Sequence, residues 1–248
     1  GRKVSIDRVL DILDMPEETK GSRPAGPISA ICFENVSFSY SGRGEAKALK
    51  GLNLKFPTDS RVGIVGLSGA GKTTITGLLT GLYTPESGRI LIDGVDLAEL
   101  DLQDYREKIG VVQQEVALFR DTLRFNLLLG REAADEDLAE VLRQMGLEEV
   151  VCSLPLGLDT LMGETCGLSA GQKQRIMIAR ALLRHPRILI FDESTASLDM
   201  ETEALLHSNR VFAKQGCISV IISHRLCTVA DCDSIVFLEE GAVRAVGS

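Results

Sequence analysis

Runs of apolar residues along the chain alternate between strand-like and helix-like spacing. The apolar run RVGIVG predicts a short buried strand that ends at Gly66, and the segment TTITGLLTGL that follows it has helical periodicity. Other strand-like segments are ISAICFENVSFSY, LNLKF, RILID, IGVV and, after Pro186, RILIFD, CISVIISH and SIVFLEE. These patterns predict an α/β domain.

Residues 116–184 are largely helical in pattern. The segment DEDLAEVLRQMG, for example, predicts a helix with an aspartate cap at its start and a stop at Gly146. Strands on both sides of a helical insert predict a mostly parallel sheet with one helical lobe. Residues 1–28 differ from the rest, because a short amphipathic pattern is followed by PEETKGSRPAGP, which is typical of a linker.

Composition narrows the possible functions. The 248 residues carry a formal net charge of −8, and only 4% of them are aromatic. A nucleic-acid-binding domain usually shows a basic patch and stacking aromatics, so we expect no nucleic-acid partner. None of the six cysteines forms a CxxC pair, which favours reduced, structural thiols. We find neither a run long enough for a membrane span nor a signal peptide.

The stretch GLSGAGKTT, residues 66–74, carries the first chemical motif. It fits G-x-x-x-x-G-K-[ST] between a predicted strand and a predicted helix, which is the context that a phosphate-binding loop requires. Backbone N–H groups of such a loop approach phosphate oxygens, and the helix adds its positive end. Lys72 is expected to reach the β- and γ-phosphates, and the Thr73 hydroxyl to ligate Mg²⁺. The nucleotide-binding residues predicted here are Gly66, Ser68, Gly69, Gly71, Lys72, Thr73 and Thr74.

A second motif, RILIFDES, occupies residues 187–194. Its apolar run predicts a buried strand that delivers Asp192 to the carboxyl end of the sheet, where α/β sheets bind ligands. We expect Asp192 to belong to the Mg²⁺ shell and Glu193 to accept a proton from the attacking water.

The third motif is LSAGQKQR, residues 168–175. Ser169 and Gly171 begin a predicted helix, and small residues at a helix start expose N–H groups to an anion. One domain has little use for two phosphate sites, however. On local sequence alone, a helix cap explains the segment better than a second site does.

LSAGQ resembles the LSGGQ signature of ATP-binding cassette (ABC) ATPases, and the order of the other motifs matches that family over residues 29–248. The resemblance implies an α/β P-loop NTPase core, with a mostly parallel sheet flanked by helices, an antiparallel β subdomain and a helical subdomain at about 116–184. It also implies head-to-tail dimers in which Ser169 and Gly171 contact the γ-phosphate of an ATP that is held by the partner chain.

Further positions acquire roles only through this resemblance. Tyr40 corresponds to the aromatic residue that stacks on adenine, and Gln114 to the glutamine that senses Mg²⁺ and the attacking water. Asp199 corresponds to the residue that helps the two sites communicate. His224 corresponds to the switch histidine at the γ-phosphate, whereas His185 and His207 are expected at the surface. The implied catalytic set is therefore Glu193, His224, Gln114 and Lys72, and the implied metal set is Thr73, Gln114 and Asp192.

The chain departs from the family pattern in the signature, where Ala170 replaces the usual glycine. Its N–H remains available, so we expect activity to be retained. Gln113 stands where many relatives have proline, so the Mg²⁺-sensing glutamine could be assigned one residue away from Gln114. Cys166 lies near the signature, and no motif gives it a role.

Residues 1–28 resemble the stretch that joins the last membrane helix to the nucleotide domain in exporters, so we expect a transmembrane domain to precede residue 29 in the same polypeptide. The resemblance therefore favours the motor domain of an ABC exporter at the cytoplasmic face of a membrane, with a second nucleotide-binding domain as partner. The alternatives are the ATPase subunit of an importer, a soluble cassette ATPase that acts on DNA or ribosomes, and a silent regulatory cassette.

Overall fold

A computed structural model of the chain describes residues 21–40, 47–113, 117–163, 167–192 and 216–247. The amphipathic helix predicted at the start of the chain lies outside these residues. None of the helices in the described ranges combines the length and the apolar composition needed to cross a bilayer.

Eight of the described strands agree with the apolar runs of the sequence, whereas the strands at Val95–Asp96 and Ala242–Gly247 were not predicted. They are β1 (Ala30–Phe38), β2 (Leu49–Pro57), β3 (Arg61–Gly66), β4 (Ser87–Ile92), β5 (Val95–Asp96), β6 (Ile109–Gln113), β7 (Ile188–Asp192), β8 (Ile218–Ser223), β9 (Ser234–Glu239) and β10 (Ala242–Gly247). The helices are α1 (Lys72–Leu79), α2 (Leu102–Glu107), α3 (Leu123–Leu128), α4 (Asp135–Gln144), α5 (Glu148–Ser153), α6 (Ala170–Leu182) and α7 (Leu226–Val229). Single 3₁₀ turns lie at Leu97–Glu99 and Gly157–Asp159.

Six strands form the central sheet, in the order β10-β9-β3-β8-β7-β6. The pairings between β9, β3, β8, β7 and β6 are all parallel, and β10 adds an antiparallel edge. All six residues of β8 are buried, as expected for a parallel strand that is covered on both faces. The prediction of a mostly parallel sheet is therefore confirmed.

A second sheet has four antiparallel strands in the order β2-β1-β4-β5. Leu52, Leu54 and Phe56 of β2 are buried, whereas the residues between them are exposed, because successive side chains of a strand point to opposite faces. This sheet shares one apolar core with α1 and the central sheet. The antiparallel β subdomain that the resemblance implied is present.

A helical layer lies between residues 123 and 182, as the helical pattern predicts. Leu127 of α3, Leu142 of α4 and Ile178 of α6 share a second apolar core with Phe191 of β7. The structure corrects one detail in this layer. Ala134, not an aspartate, is the N-cap of α4, and Asp135 begins the first turn, where its charge favours the helix dipole. The predicted stop is confirmed, because Gly146 follows the helix with φ 57°.

Candidate functional site

The loop between β3 and α1 connects a buried strand to an eight-residue helix. Gly69 and Gly71 adopt φ values of 78° and 101°, in the left-handed region that glycine enters without steric cost. No side chain caps the start of α1. An anion such as a phosphate suits this position, because the first N–H groups of any α-helix have no acceptor within the helix itself.

Close packing explains why glycine begins and ends this loop. A Cβ atom on Gly66 would lie 2.3 Å from the carbonyl oxygen of Leu238 in β9. A Cβ atom on Gly71 would lie 2.7 Å from Leu49 Cδ2 and 2.8 Å from the Ala48 carbonyl oxygen. A larger residue at either position would push the loop away from the sheet. Glycine at both positions therefore lets the loop backbone pack close to the sheet, in the conformation of a phosphate-binding loop.

Lys72 crosses this loop rather than pointing into solvent. Its side chain is buried, and Nζ donates hydrogen bonds to the carbonyl oxygens of Gly66 at 2.9 Å and Leu67 at 3.0 Å. The ammonium group therefore lies within the loop that the sequence assigns to phosphate. Ser68 and Thr73 are exposed beside it. The structure thus brings the predicted phosphate-binding residues together.

Thr74 and Tyr40 contact each other. The Tyr40 hydroxyl and Thr74 Oγ1 are 2.8 Å apart, so the residue predicted to stack on adenine is attached to the helix that follows the phosphate loop. The Tyr40 ring packs edge-on against Phe38 and Tyr83 at centroid distances of 5.2 and 5.6 Å, and it is 60% exposed. A fixed aromatic ring with an exposed surface beside the loop is suited to stacking on a base.

Tyr83 was missed by the sequence analysis. It stacks on Phe38 at 5.0 Å and completes the aromatic group around Tyr40. The Tyr83 ring packs against Gly77 of α1, where a Cβ atom would lie 2.3 Å from the ring. Without the fold, nothing in the sequence shows that this helical glycine makes room for a tyrosine.

Strand register brings three separate motifs to the same edge of the central sheet. Val65, next to Gly66, pairs with Ser223, next to His224. Asp192 pairs with Ile222 on one side and with Gln113 on the other. The phosphate loop, Asp192 and His224 therefore follow the carboxyl ends of neighbouring parallel strands, where α/β sheets bind ligands. Adjacent strands are about 4.8 Å apart, so the three motifs lie close together. His224 is exposed there, as a residue that contacts a ligand must be.

Several predicted residues cannot be placed. Gln114, Cys166, Glu193 and Asp199 lie outside the described residues, and so does His207. The roles of Gln114, Glu193 and Asp199 therefore remain predictions. Gln114 and Glu193 directly follow Gln113 and Asp192 in the chain. His185 is described, and it lies at the surface after α6, 3.6 Å from a carboxylate oxygen of Asp137.

The signature segment forms a helix cap. Ser169 Oγ accepts a hydrogen bond from the Gln172 N–H at 3.1 Å, and the Gln172 side chain accepts one from the Ser169 N–H at 2.9 Å. This reciprocal pair is a capping box. The Ser169 hydroxyl acts as an acceptor here, so its own proton can still be donated to a ligand. Gly171 is buried and Ala170 is exposed at the first helical position.

The residues present fit a magnesium nucleotide. Asp192 and Thr73 supply the hard oxygen donors that Mg²⁺ prefers, and α1 and Lys72 supply the positive groups that phosphates require. Within the described ranges, no group of three or more His, Cys, Asp or Glu side chains is arranged to hold a metal by itself. Mg²⁺ in nucleotide sites usually combines one or two carboxylates with substrate phosphates and several waters.

Comparison with known proteins decides the family. The family described as "ABC transporter" matches residues 49–196, a range that includes the phosphate loop, the capping box and Asp192. The chain belongs to the ABC transporter family.

Three relatives illustrate this membership. P-glycoprotein 14 of Caenorhabditis elegans is 42% identical over 98% of this chain and 18% of its own length. The mitochondrial iron-sulfur clusters transporter ATM1 of Candida glabrata is 43% identical, over 92% of this chain and 31% of its own length. The cyclolysin secretion/processing ATP-binding protein CyaB of Bordetella pertussis is 41% identical over 99% of this chain and 35% of its own length.

A solved structure has the same fold. It is a bacterial Atm1-family ABC exporter with ATP bound, with a TM-score of 0.88 and 38% identity, and the match covers 99% of this chain and 44% of that chain. This ABC transporter chain thus spans 44% or less of the length of each of these proteins.

Proposed function

We propose that this chain is the ATP-binding and ATP-hydrolysing motor domain of an ABC exporter. The observation that carries the proposal is the convergence of the phosphate loop, Asp192 and His224 at the carboxyl ends of adjacent parallel strands. The 0.88 TM-score to an ATP-bound exporter supports it. Neither that structure nor the relatives favour an importer subunit or a soluble cassette ATPase.

In this proposal, each residue has one role in binding or hydrolysing ATP. The glycines of the loop and the N–H groups of α1 hold the triphosphate, Lys72 donates to its β- and γ-phosphates, and Tyr40 packs on the adenine. Thr73, Asp192 and Gln114 would hold Mg²⁺, and the bound ion would neutralise part of the phosphate charge. Glu193 takes a proton from water, while His224 donates to the γ-phosphate.

The site is completed by a second nucleotide-binding domain. In the site of the partner chain, the Ser169 hydroxyl donates a hydrogen bond to the γ-phosphate, and Gly171 lies next to that phosphate. Asp199 links the two nucleotide sites. The partner is an identical or a related domain. A transmembrane domain of the same transporter binds the pair at the cytoplasmic face of the membrane, with residues 1–28 as the connection. Closure and reopening of the dimer then drive substrate across the membrane.

Glu193→Gln tests the proposed base. The glutamine keeps the shape of the side chain but cannot accept the proton, so we expect ATP hydrolysis to fall by about 10²–10⁴-fold. ATP affinity should change little, and ATP-bound dimers should accumulate in size-exclusion chromatography. Lys72→Ala is the companion variant, and it should weaken ATP binding itself. Normal hydrolysis by the first variant, or normal affinity of the second, would contradict the assigned roles.

Mixing two inactive variants tests the shared site. Ser169→Arg retains its phosphate loop, and Lys72→Ala retains its signature, so a mixed dimer contains one intact site. We expect each variant alone to be nearly inactive and the mixture to recover a measurable part of the wild-type rate. A mixture that stays as inactive as its components would refute the composite site while leaving single-chain ATP binding intact.

A further inference from the structure

Arg180, in the last turn of α6, is tied to a loop that belongs to another part of the helical layer. Its Nε donates to the Asn126 carbonyl oxygen at 2.6 Å and its Nη1 to the Ala117 carbonyl oxygen at 3.2 Å. Its Nη2 donates to Asn126 Oδ1 at 3.2 Å, and the guanidinium lies 5.7 Å from the centre of the Phe119 ring. One side chain of α6 therefore binds both ends of the segment 117–126.

Asn126 extends this connection to the whole loop before α3. The residue is fully buried, and its Oδ1 accepts from the Phe119 N–H at 2.7 Å. Its Nδ2 donates to the carbonyl oxygens of Phe119 and Thr122, each at 3.0 Å. A buried amide with these bonds fixes the path of the loop, because breaking any of them would leave a polar group without water.

Arg180 and Ser169 lie at opposite ends of the same helix, α6. Ala117, Phe119 and Arg180 line a cavity of about 410 Å³ that also reaches Gln113 at the end of β6. Ser169 lies at the opposite end of α6, eleven residues away, which is about 16 Å along a straight helix. A change in the tilt of α6 at Arg180 would therefore move Ser169 as the end of a rigid rod.

We propose that Arg180 is a positioning residue for ATP hydrolysis: it holds α6 against the loop 117–122 and so directs Ser169 towards the nucleotide of the partner chain. This inference rests on the proposed function. It does not make Arg180 a catalytic residue, because Arg180 acts only through α6. The planar guanidinium suits the role, since it can serve three acceptors in fixed directions, whereas a lysine ammonium is a single point of charge on a flexible stem.

The test compares three variants. Arg180→Met keeps most of the apolar stem of the side chain but removes every donor. Arg180→Lys keeps the charge but lacks the planar guanidinium. Arg184→Met is the matched control, because Arg184 follows one turn later and donates to the Arg106 carbonyl oxygen at 3.3 Å rather than to the loop 117–122. Each is made in the wild-type chain for kinetics and in the Glu193→Gln chain for dimer formation.

We expect Arg180→Met to bind a fluorescent ATP analogue as a monomer with an affinity within about twofold of wild type. In the Glu193→Gln chain, the ATP concentration for half-maximal dimer should rise about fivefold or more, and in the wild-type chain kcat should fall about tenfold. Arg180→Lys should be intermediate, and Arg184→Met should stay within about twofold of wild type. Equal losses in Arg180→Met and Arg184→Met, or a parallel loss of monomer affinity, would overturn the proposal.

Hydrogen exchange separates failure of this inference from failure of the proposed function. If the Glu193→Gln chain forms no dimer with ATP, the composite site is wrong, but the link between Arg180 and the loop can still be measured. Arg180→Met should then speed exchange of the Phe119 amide, which donates to Asn126 Oδ1, by about tenfold, with no such change in Arg184→Met. Unchanged exchange of the Phe119 amide would overturn the positioning role.

Discussion

Tyr105 of α2 connects the helix that carries Lys72 to the rest of the core, and its removal is a quantitative test of the fold. The ring is fully buried, and its hydroxyl donates to the carbonyl oxygen of Leu79 at 2.7 Å. Leu79 is the last residue of α1, where carbonyl groups have no partner within the helix. Arg106 donates to the carbonyl oxygens of Thr80 and Gly81 just beyond it, at 3.0 and 2.8 Å.

Tyr105→Phe keeps the ring and removes this one hydrogen bond. The Leu79 carbonyl oxygen is then left dry in the core, which costs about 1–3 kcal/mol. For a chain of this length, that loss lowers the melting temperature by about 2–4 °C per kcal/mol. Tyr83→Phe is the control, because the Tyr83 ring is 37% exposed, and we expect that change to stay within about 0.5 kcal/mol.

The same side chain makes a prediction about pH. Burial raises the pKa of Tyr105 well above its ordinary value. The folded chain therefore keeps the phenol proton at a pH where the unfolded chain has lost it. The contribution of Tyr105 to the free energy of unfolding is fully present below a pH of about 10, the pKa of tyrosine in the unfolded chain. Above that pH, the contribution falls by about 1.4 kcal/mol per pH unit. Tyr105→Phe lacks this loss, so the stability advantage of the wild type should shrink above pH 10.

Urea unfolding without nucleotide, followed from pH 7 to 11, measures both effects. Subtracting the variant from the wild type cancels the titration of every other group. A difference below about 0.5 kcal/mol at pH 7 would show that the Leu79 carbonyl finds another donor. A difference that stays constant up to pH 11 would refute the assigned burial of the phenol.

Three further predictions concern other parts of the chain. Gly66→Ala should weaken ATP binding by about tenfold or more and lower the free energy of unfolding by about 1–3 kcal/mol, because the new Cβ atom would overlap the Leu238 carbonyl oxygen. Gly26→Ala is the control, since a Cβ atom at Gly26 meets open space, and neither ATP affinity nor stability should change in the same binding and unfolding assays. Alkylation at pH 8, mapped by mass spectrometry, should modify the exposed Cys152 and Cys227 at least about tenfold faster than the buried Cys232. The reason is that burial raises the pKa of Cys232 to about 11, and equal alkylation rates would contradict this prediction. Asp104→Ala should speed hydrogen exchange of the Ala25 amide, which donates a hydrogen bond to the Asp104 carboxylate at 2.7 Å. In the wild type, Lys108 holds the pKa of Asp104 below its usual range. The Ala25–Asp104 hydrogen bond should therefore persist in mild acid and be lost only as the pH falls through that lowered pKa.

Much of the fold is readable from the sequence because the signals are local. The buried strands β3, β7 and β8 are short apolar runs, and the phosphate loop is a contiguous motif in which glycines, a lysine and a threonine follow one another within a single turn. The family resemblance rests on motifs of the same kind. The error at the start of α4 is also local in origin, because several acidic residues suit the first turn of a helix and the pattern alone does not show that Ala134 is the cap.

The contacts that the sequence did not predict join distant residues. Tyr105 and Leu79 are 26 positions apart, and Arg180 and Asn126 are 54 apart. Tyr83 and Gly77 are closer in sequence, but their complementarity depends on how the chain turns after α1. No residue type or spacing identifies such a pair, since a buried tyrosine or arginine can bind any carbonyl group that the fold brings near it.

By itself, the sequence determined to which family the chain belongs, and it predicted most of the strands and the position of a phosphate-binding loop. Only the tertiary structure decided that Asp192, His224 and the phosphate loop share one edge of a sheet, because that depends on the order and register of parallel strands. It also decided that Arg180 fastens α6 to the loop before α3. The physical reason is that a motif is specified by neighbours along the chain, whereas strand order and buried hydrogen bonds are specified by the packing of the whole core.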